Sequence, residues 1–176
     1  MPSHPVIIST YNPDWPELAQ QELDRLGQLL GSNLVAGEHI GSTALPGLAA
    51  KPVLDLMPVV HSLEALDRHR SAIEALGYEW YGEHGLPQRR FCARTDANGN
   101  RLSNVHFFAS TSPDIRRHLA FRDYLRAHPA IADAYQVEKR RAADLHPLDS
   151  LAYNLEKADW VREHEADALN WYTKKQ

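Results

Sequence analysis

Chemistry in this 176-residue chain concentrates around Gly41-Ser42 and Asp55, a small polar turn and a lone carboxylate returned inside the apolar run Val53-Leu54-Asp55-Leu56-Met57. Small residues let backbone N–H groups and the Ser42 hydroxyl approach phosphate oxygens closely. A carboxylate within an apolar strand is costly to desolvate unless a cation or donors stand beside it. Asp55 is therefore a candidate hard oxygen ligand for a divalent ion bridging those phosphates. Two plainer readings stand beside these: Ser42 as the cap of a turn, and Asp55 as half of an ion pair with Lys51 or an arginine. The stretch is not a Walker phosphate loop, because Gly41 and Gly47 are one residue too far apart and Lys51 does not directly follow the second glycine.

Other candidates lie at a distance in sequence. His106, flanked by apolar residues in Asn104-Val105-His106-Phe107-Phe108, would complete coordination beside Asp55 or act as a base, and an imidazole there favours zinc or manganese over magnesium. His39, just before the turn, is a third candidate metal ligand. Each histidine has the alternative of being a hydrogen-bonded core residue. In Arg89-Arg90-Phe91, strand alternation puts residues 89 and 91 on one face and Arg90 on the other, so one guanidinium reaches the cleft. Lys51, Arg90 and Arg122 are the candidate phosphate-binding cations. Arg122 and Arg126 are neighbours at i,i+4 on a helix, and Tyr135 and Lys139 repeat that spacing. The alternative is a solvated helix face balanced by Asp114, Asp123 and Glu138.

The elements that must position these residues follow from periodicity. Asp14 reads as the N-cap of an amphipathic helix through Leu18, Leu23, Leu26, Leu29 and Leu30, ended by Gly31. Leu34 to Ile40 and Pro52 to Val60 read as strands, the second nearly continuous in apolar residues and so central in the sheet. Ser62 opens a helix through Leu63, Leu66, Ile73 and Leu76, closed by Gly77. Tyr78 to Tyr81, Arg89 to Arg94 and Leu102 to Ala109 are strands, the last two joined by a turn over Asp96 to Asn100. From Ser112-Pro113 onward the chain reads as helical, broken at Pro129 and Pro147. The expectation is an α/β fold in one domain over residues 1–176, a mixed sheet with packed helices and a helical C-terminal part.

Composition bounds the function. With 43% hydrophobic residues the chain is long enough for one sizeable core. A net charge of -4 argues against general nucleic-acid binding, which needs a basic excess, so any polyanion is met locally. The single Cys92 allows no internal disulfide and fits a reducing, cytoplasmic setting. No apolar stretch approaches membrane-spanning length, and Met1-Pro2-Ser3-His4-Pro5 lacks the pattern of a signal peptide.

The stretch from His39 to Asp55, His-Ile-Gly-Ser-Thr-Ala-Leu-Pro-Gly-Leu-Ala-Ala-Lys-Pro-Val-Leu-Asp, closely resembles the signature of the GrpB family. The likeness extends from Tyr11-Asn12-Pro13-Asp14-Trp15 through Arg89-Arg90-Phe91 and the segment Arg117 to Leu125 to the C-terminal helix. It implies a nucleotidyltransferase-like fold, with Gly41, Ser42, Lys51, Arg90 and Arg122 around a nucleoside triphosphate and Asp55, His106 and His39 around a divalent metal (magnesium, manganese or zinc). In active nucleotidyltransferases a second carboxylate stands two residues after the first, where this chain has Met57. That departure points toward one metal, a different metal, or nucleotide binding without transfer. A GrpB-like segment also occurs fused to dephospho-coenzyme A kinase, where it is regarded as a folding accessory, so the alternative is a non-catalytic nucleotide-sensing or accessory module. The small-molecule nucleotide or phosphate is the expected ligand, and no membrane partner is expected.

Overall fold

A five-stranded mixed sheet of order β1-β2-β5-β4-β3 carries the molecule, whose computed structural model describes residues 5–176. The strands are β1 (Leu34–Ile40), β2 (Leu54–Val60), β3 (Tyr78–Gly82), β4 (Arg89–Thr95) and β5 (Arg101–Ala109). All neighbours run antiparallel except β2 and β5, which are parallel and pair Asp55 with Asn104. The helices are α1 (Trp15–Leu30), α2 (Leu63–Asp67), α3 (Arg70–Ala75), α4 (Pro113–Ala127), α5 (Pro129–Leu145), α6 (Ser150–Glu156) and α7 (Ala158–Lys175). This is the α/β architecture that the hydrophobic periodicity predicts. No helix among the described residues is long and apolar enough to cross a membrane.

Two faces of the sheet bury different residues. On one face Leu54, Leu56, Cys92, Val105 and Phe107 join α1 through Ala19, Leu23 and Leu26, and α2 and α3 through Leu63, Leu66 and Ile73. On the other, Ile40, Met57 and Phe108 pack beneath Ile115 and Leu119 of α4. Strand β2 is covered on both sides, which is why its sequence is apolar almost throughout.

Local chemistry corrects two boundaries. Asp14 is itself helical and its side chain caps nothing; Asn12 takes that role, its Oδ1 accepting from the Asp14 N–H at 2.9 Å. The helix expected from Leu63 to Leu76 is two short ones. At the break the His69 N–H turns to Leu66 O, while the Ala65 carbonyl that a continuous helix would offer it meets the His69 ring Nδ1 at 2.9 Å. Ser112 caps α4 as expected, accepting from the Asp114 N–H, with Pro113 in the first turn.

One buried polar cluster ties α1 to the sheet. Glu22 is 4% exposed and accepts from Tyr78 Oη at 2.5 Å, Arg94 Nη2 at 3.0 Å and the Ser103 hydroxyl. Burial pushes its carboxyl up, but the bonds from Arg94, Ser103 and Tyr78 outweigh it and hold the pKa below the usual carboxylate range. Glu22→Gln strands Arg94 and is expected to cost about 3 kcal/mol in urea unfolding at pH 7. The depressed pKa makes this contribution complete above the ordinary carboxylate range and lost as pH falls through the folded value, so the wild-type and variant stabilities should converge in acid.

Candidate functional site

Asp55 lies at the start of β2 on the α4 face, with 32% of its side chain exposed. The parallel pairing with β5 puts two polar side chains of one face beside it. Asn104 Nδ2 donates to Asp55 Oδ1 at 3.1 Å, and His106 Nε2 stands 3.6 Å from the same oxygen, a polar contact beyond hydrogen-bond length. Burial raises the Asp55 pKa, but His106, Asn104 and Lys157 outweigh it and hold the carboxyl below its usual range.

The other carboxylate oxygen faces the turn. Gly41 has φ +72° and ψ −169°, and a Cβ built on it would lie 2.6 Å from Asp55 Oδ2. Glycine is thus required twice over, by the left-handed backbone and by the contact. Ser42 follows at once and opens a 3-10 turn through Ala44, closed by Ala44 N–H to Gly41 O and Leu45 N–H to Ser42 O. The structure thus sets Gly41 against one Asp55 oxygen and His106 3.6 Å from the other, with Ser42 next to Gly41 in the chain.

Arginines on α4 fix that turn instead of facing an open cleft. Arg122, its side chain 12% exposed, donates to Glu38 Oε2 at 2.7 Å, Asp123 Oδ1 at 2.8 Å and the His39 carbonyl at 3.1 Å. Arg126 donates twice to the Ala44 carbonyl, at 3.0 and 2.8 Å. Arg122, expected among phosphate-binding cations, has its donors committed to the protein. Arg90 is on the opposite sheet face, bidentate to Asp67 of the α2 helix at 2.7 and 2.9 Å. Arg89 is the arginine of that pair on the site's side, and its Nη1 stands 3.4 Å from His106 Nδ1.

The histidines divide. With Arg89 donating to Nδ1, a neutral His106 carries its proton on Nε2, the nitrogen turned toward Asp55 at 3.6 Å. His39 pairs in register with Leu56 while Ile40 pairs with Asp55, and its Nε2 bonds Thr43 Oγ1 at 2.8 Å, so it does not join Asp55 and His106. Burial, with lesser contributions from Arg126 and Arg122, lowers its pKa to about 4 even against the pull of Asp55. No cluster of three or more His, Cys, Asp or Glu able to hold a metal occurs among the described residues. A zinc site of the usual three or four protein donors does not fit. One carboxylate with phosphate oxygens and water completing the shell is the donor set that magnesium and manganese accept.

Met57 shares the sheet face of Asp55, as alternation requires, yet it is fully buried between Ile40 and Phe108 and under Leu86, Ile115 and Leu119. The expectation that both residues line one open cleft fails because α4 covers this part of the face. Lys51 is half-buried, donates to Ser150 Oγ at 2.7 Å and lies 5.5 Å from the Tyr153 ring centroid. Periodicity marks Asn104, two residues from His106 on one face. Lys157, which reaches Asp55 electrostatically from between α6 and α7, repeats with Tyr153 the spacing of Tyr135 and Lys139. Two surface cavities of about 410 and 340 Å³ lie beside Ala49 and Arg140 and beside Leu48 and Arg126, and neither includes Asp55.

This sheet, with a glycine-serine turn backed onto a strand carboxylate, is the mixed core of an α/β fold. The fold is shared with Cid1 in complex with its short product ApU at TM-score 0.53 and 15% identity, over 78% of this chain and 43% of that one. The family model for GrpB protein matches residues 5–167, and the chain belongs to the GrpB family. It is similar to the crystal structure of conserved protein GrpB from Enterococcus faecalis, at TM-score 0.89 and 38% identity over 94% of this chain and 99% of that one. It is 39% identical to UPF0157 protein YqkA of Bacillus subtilis, over 97% of this chain and 49% of that protein. Another relative, at 32% identity over 95% of this chain and 47% of its own length, is named dephospho-CoA kinase in Mycolicibacterium paratuberculosis. The chain thus spans about half the length of both these relatives.

Met57→Asp would bury an unpaired carboxylate and is expected to destabilise the fold by at least about 3 kcal/mol, without adding a metal site. Thermal melts with and without manganese check this, and an intact variant that binds an extra ion would show that position 57 opens to the site. Gly41→Ala is expected to cost about 2 kcal/mol in urea unfolding, from a left-handed backbone and a clash with Asp55.

Proposed function

We propose that this chain binds a nucleoside triphosphate, or a related phosphate ester, at the Gly41-Ser42 turn together with one divalent cation held by Asp55. The observation that carries the reading is the approach of Gly41 to Asp55 Oδ2, which puts the backbone of the Gly41-Ser42 turn next to a carboxylate. The fold neighbour Cid1 is described in complex with the UTP analog UMPNPP and in an MgGTP-bound form, which supports the ligand class.

Within this reading each residue has a separate task. The turn supplies N–H groups and the Ser42 hydroxyl to phosphate oxygens. Asn104 and His106 engage Asp55 Oδ1, leaving Oδ2 as the oxygen next to the turn. Arg122 and Arg126 hold the turn from behind through the His39 and Ala44 carbonyls. The cation, when bound, neutralises phosphate charge and fixes its orientation.

Met57 favours binding without nucleotidyl transfer as the second reading, since its burial leaves Asp55 as the one carboxylate of this strand at the site. Nucleotide sensing, or assistance to a fused partner such as the kinase portion of longer relatives, belongs to that reading. Calorimetric titration of nucleoside triphosphates with manganese separates the roles. Wild type is expected to bind with metal-dependent affinity, Asp55→Asn to lose the metal dependence and Ser42→Ala to weaken binding about tenfold, the worth of one charge-assisted hydrogen bond. Equal affinity in all three proteins, or none in wild type, would remove the assignment. Release of pyrophosphate on incubation with a panel of acceptors would favour transfer.

A further inference from the structure

Three lysines from three segments converge on the rings of Tyr135 and Tyr153, and two of them, Lys51 and Lys157, lie in the field of Asp55. Tyr135 and Lys139 of α5 repeat at the same spacing as Tyr153 and Lys157, where Lys157 joins α6 to α7. Each ammonium lies over its own ring, Lys139 Nζ at 4.9 Å from the Tyr135 centroid and Lys157 Nζ at 4.6 Å from that of Tyr153. The rings are also shared: Lys157 Nζ is 5.9 Å from the Tyr135 centroid, and Lys51 Nζ is 5.5 Å from that of Tyr153. Lys157 therefore stands between the other two.

This concentration of positive charge is poorly neutralised. None of the three forms a salt bridge within 4.0 Å among the described residues. Lys139 is 1% exposed and donates to the Ala49 carbonyl at 2.6 Å; Lys51 donates to the Ser150 hydroxyl. Asp55 is the anion whose field reaches both Lys51 and Lys157. Burial, then repulsion from Lys157 and Arg140, lowers the Lys139 pKa to about 7, and burial followed by Lys157 also lowers that of Lys51. Burial and the Lys157 charge thus disfavour the charged forms of Lys51 and Lys139 until an anion arrives, while Tyr135, Tyr153 and Asp55 hold Lys157 itself charged against burial. In a chain of net charge -4 these lysines require a specific placement.

We propose that Lys51 and Lys157, with Lys139 buried behind them, form an anion subsite that takes a run of two or more linked phosphates lying beside Asp55. It rests on the nucleotide reading only for the identity of what carries those phosphates: the tail of a nucleoside triphosphate and free inorganic polyphosphate present the same chemistry. The aromatic rings suit this role. They hold the ammoniums by cation–π attraction without neutralising them, so the charge stays available to a ligand.

Metal-free calorimetry at low salt with sodium tripolyphosphate and with orthophosphate tests the subsite. Wild type is expected to bind tripolyphosphate at least tenfold more tightly than orthophosphate. Lys157→Gln should lose at least tenfold of that affinity, with a ligand-free melting temperature that holds or falls, since Asp55 and the two tyrosines favour its charge. Lys51→Gln provides the same comparison if Lys157→Gln does not fold. Asp55→Asn should retain or strengthen metal-free binding, which separates this subsite from the metal-dependent role of Asp55. Tripolyphosphate affinity unchanged in the lysine variants, or equal affinity for the two anions in wild type, would overturn the proposal. Tripolyphosphate that nucleoside triphosphates fail to displace would support the subsite and remove the nucleotide reading.

Discussion

The contact between Gly41 and the Asp55 carboxylate is the constraint on which the site depends. An ordinary side chain at position 41 would occupy the space of Oδ2, and the backbone there is in the left-handed region that glycine alone adopts at little cost. The close approach brings a turn bearing donors and a strand bearing an acid to the same place. Everything adjacent preserves it: Asn104 and His106 engage the far oxygen, while Arg122 and Arg126 bind the carbonyls on either side of the turn. These arginines are positioning groups. Their charge is used up in holding main-chain geometry and in pairing with Glu38 and Asp123.

Sheet topology supplies the remaining placement. A parallel β2–β5 pair sets Asp55 beside Asn104 although 49 residues separate them, and the intervening chain covers the α1 face and adds β3 and β4 at the far edge. The α4 face is then divided between an apolar part, where Met57 and Phe108 are sealed under α4, and a polar end at Asp55. That division separates the two residues in environment even though they point the same way. It gives the absence of a second acid a packing rationale, because a carboxylate at position 57 would have neither water nor a donor. Positive charge returns at the junction of α6 and α7, where Lys157 lies over the Tyr153 ring and acts on Asp55 electrostatically.

Much of this was legible in the sequence where periodicity or backbone chemistry decides. Alternation in β2 and β5, the Gly41-Ser42 turn and the Ser112-Pro113 helix start all depend on local rules, and the structure keeps them. What stayed hidden depends on partners distant in sequence. Alternation shows that Arg89 and Arg90 face opposite ways, but only the position of Asp67 on α2 decides that Arg90 is the one turned from the site. Arg122 reads as a free helix cation until Glu38, 84 residues away, is placed beside it. His39 looks like a ligand by proximity to the turn, whereas the register with Leu56 and the bond to Thr43 take it away. Lys157 repeats with Tyr153 the spacing of Tyr135 and Lys139, but only the packing of α5 and α6 around the two tyrosines brings its charge to Asp55.

A single-cation site between the Gly41 turn and Asp55 makes a spectroscopic demand. Manganese titrated into this protein with a non-hydrolysable nucleoside triphosphate should give one protein-bound ion per chain by electron paramagnetic resonance, with an affinity that falls at least tenfold in Asp55→Asn. Two ions per chain, or an ion affinity unchanged in Asp55→Asn, would contradict the account.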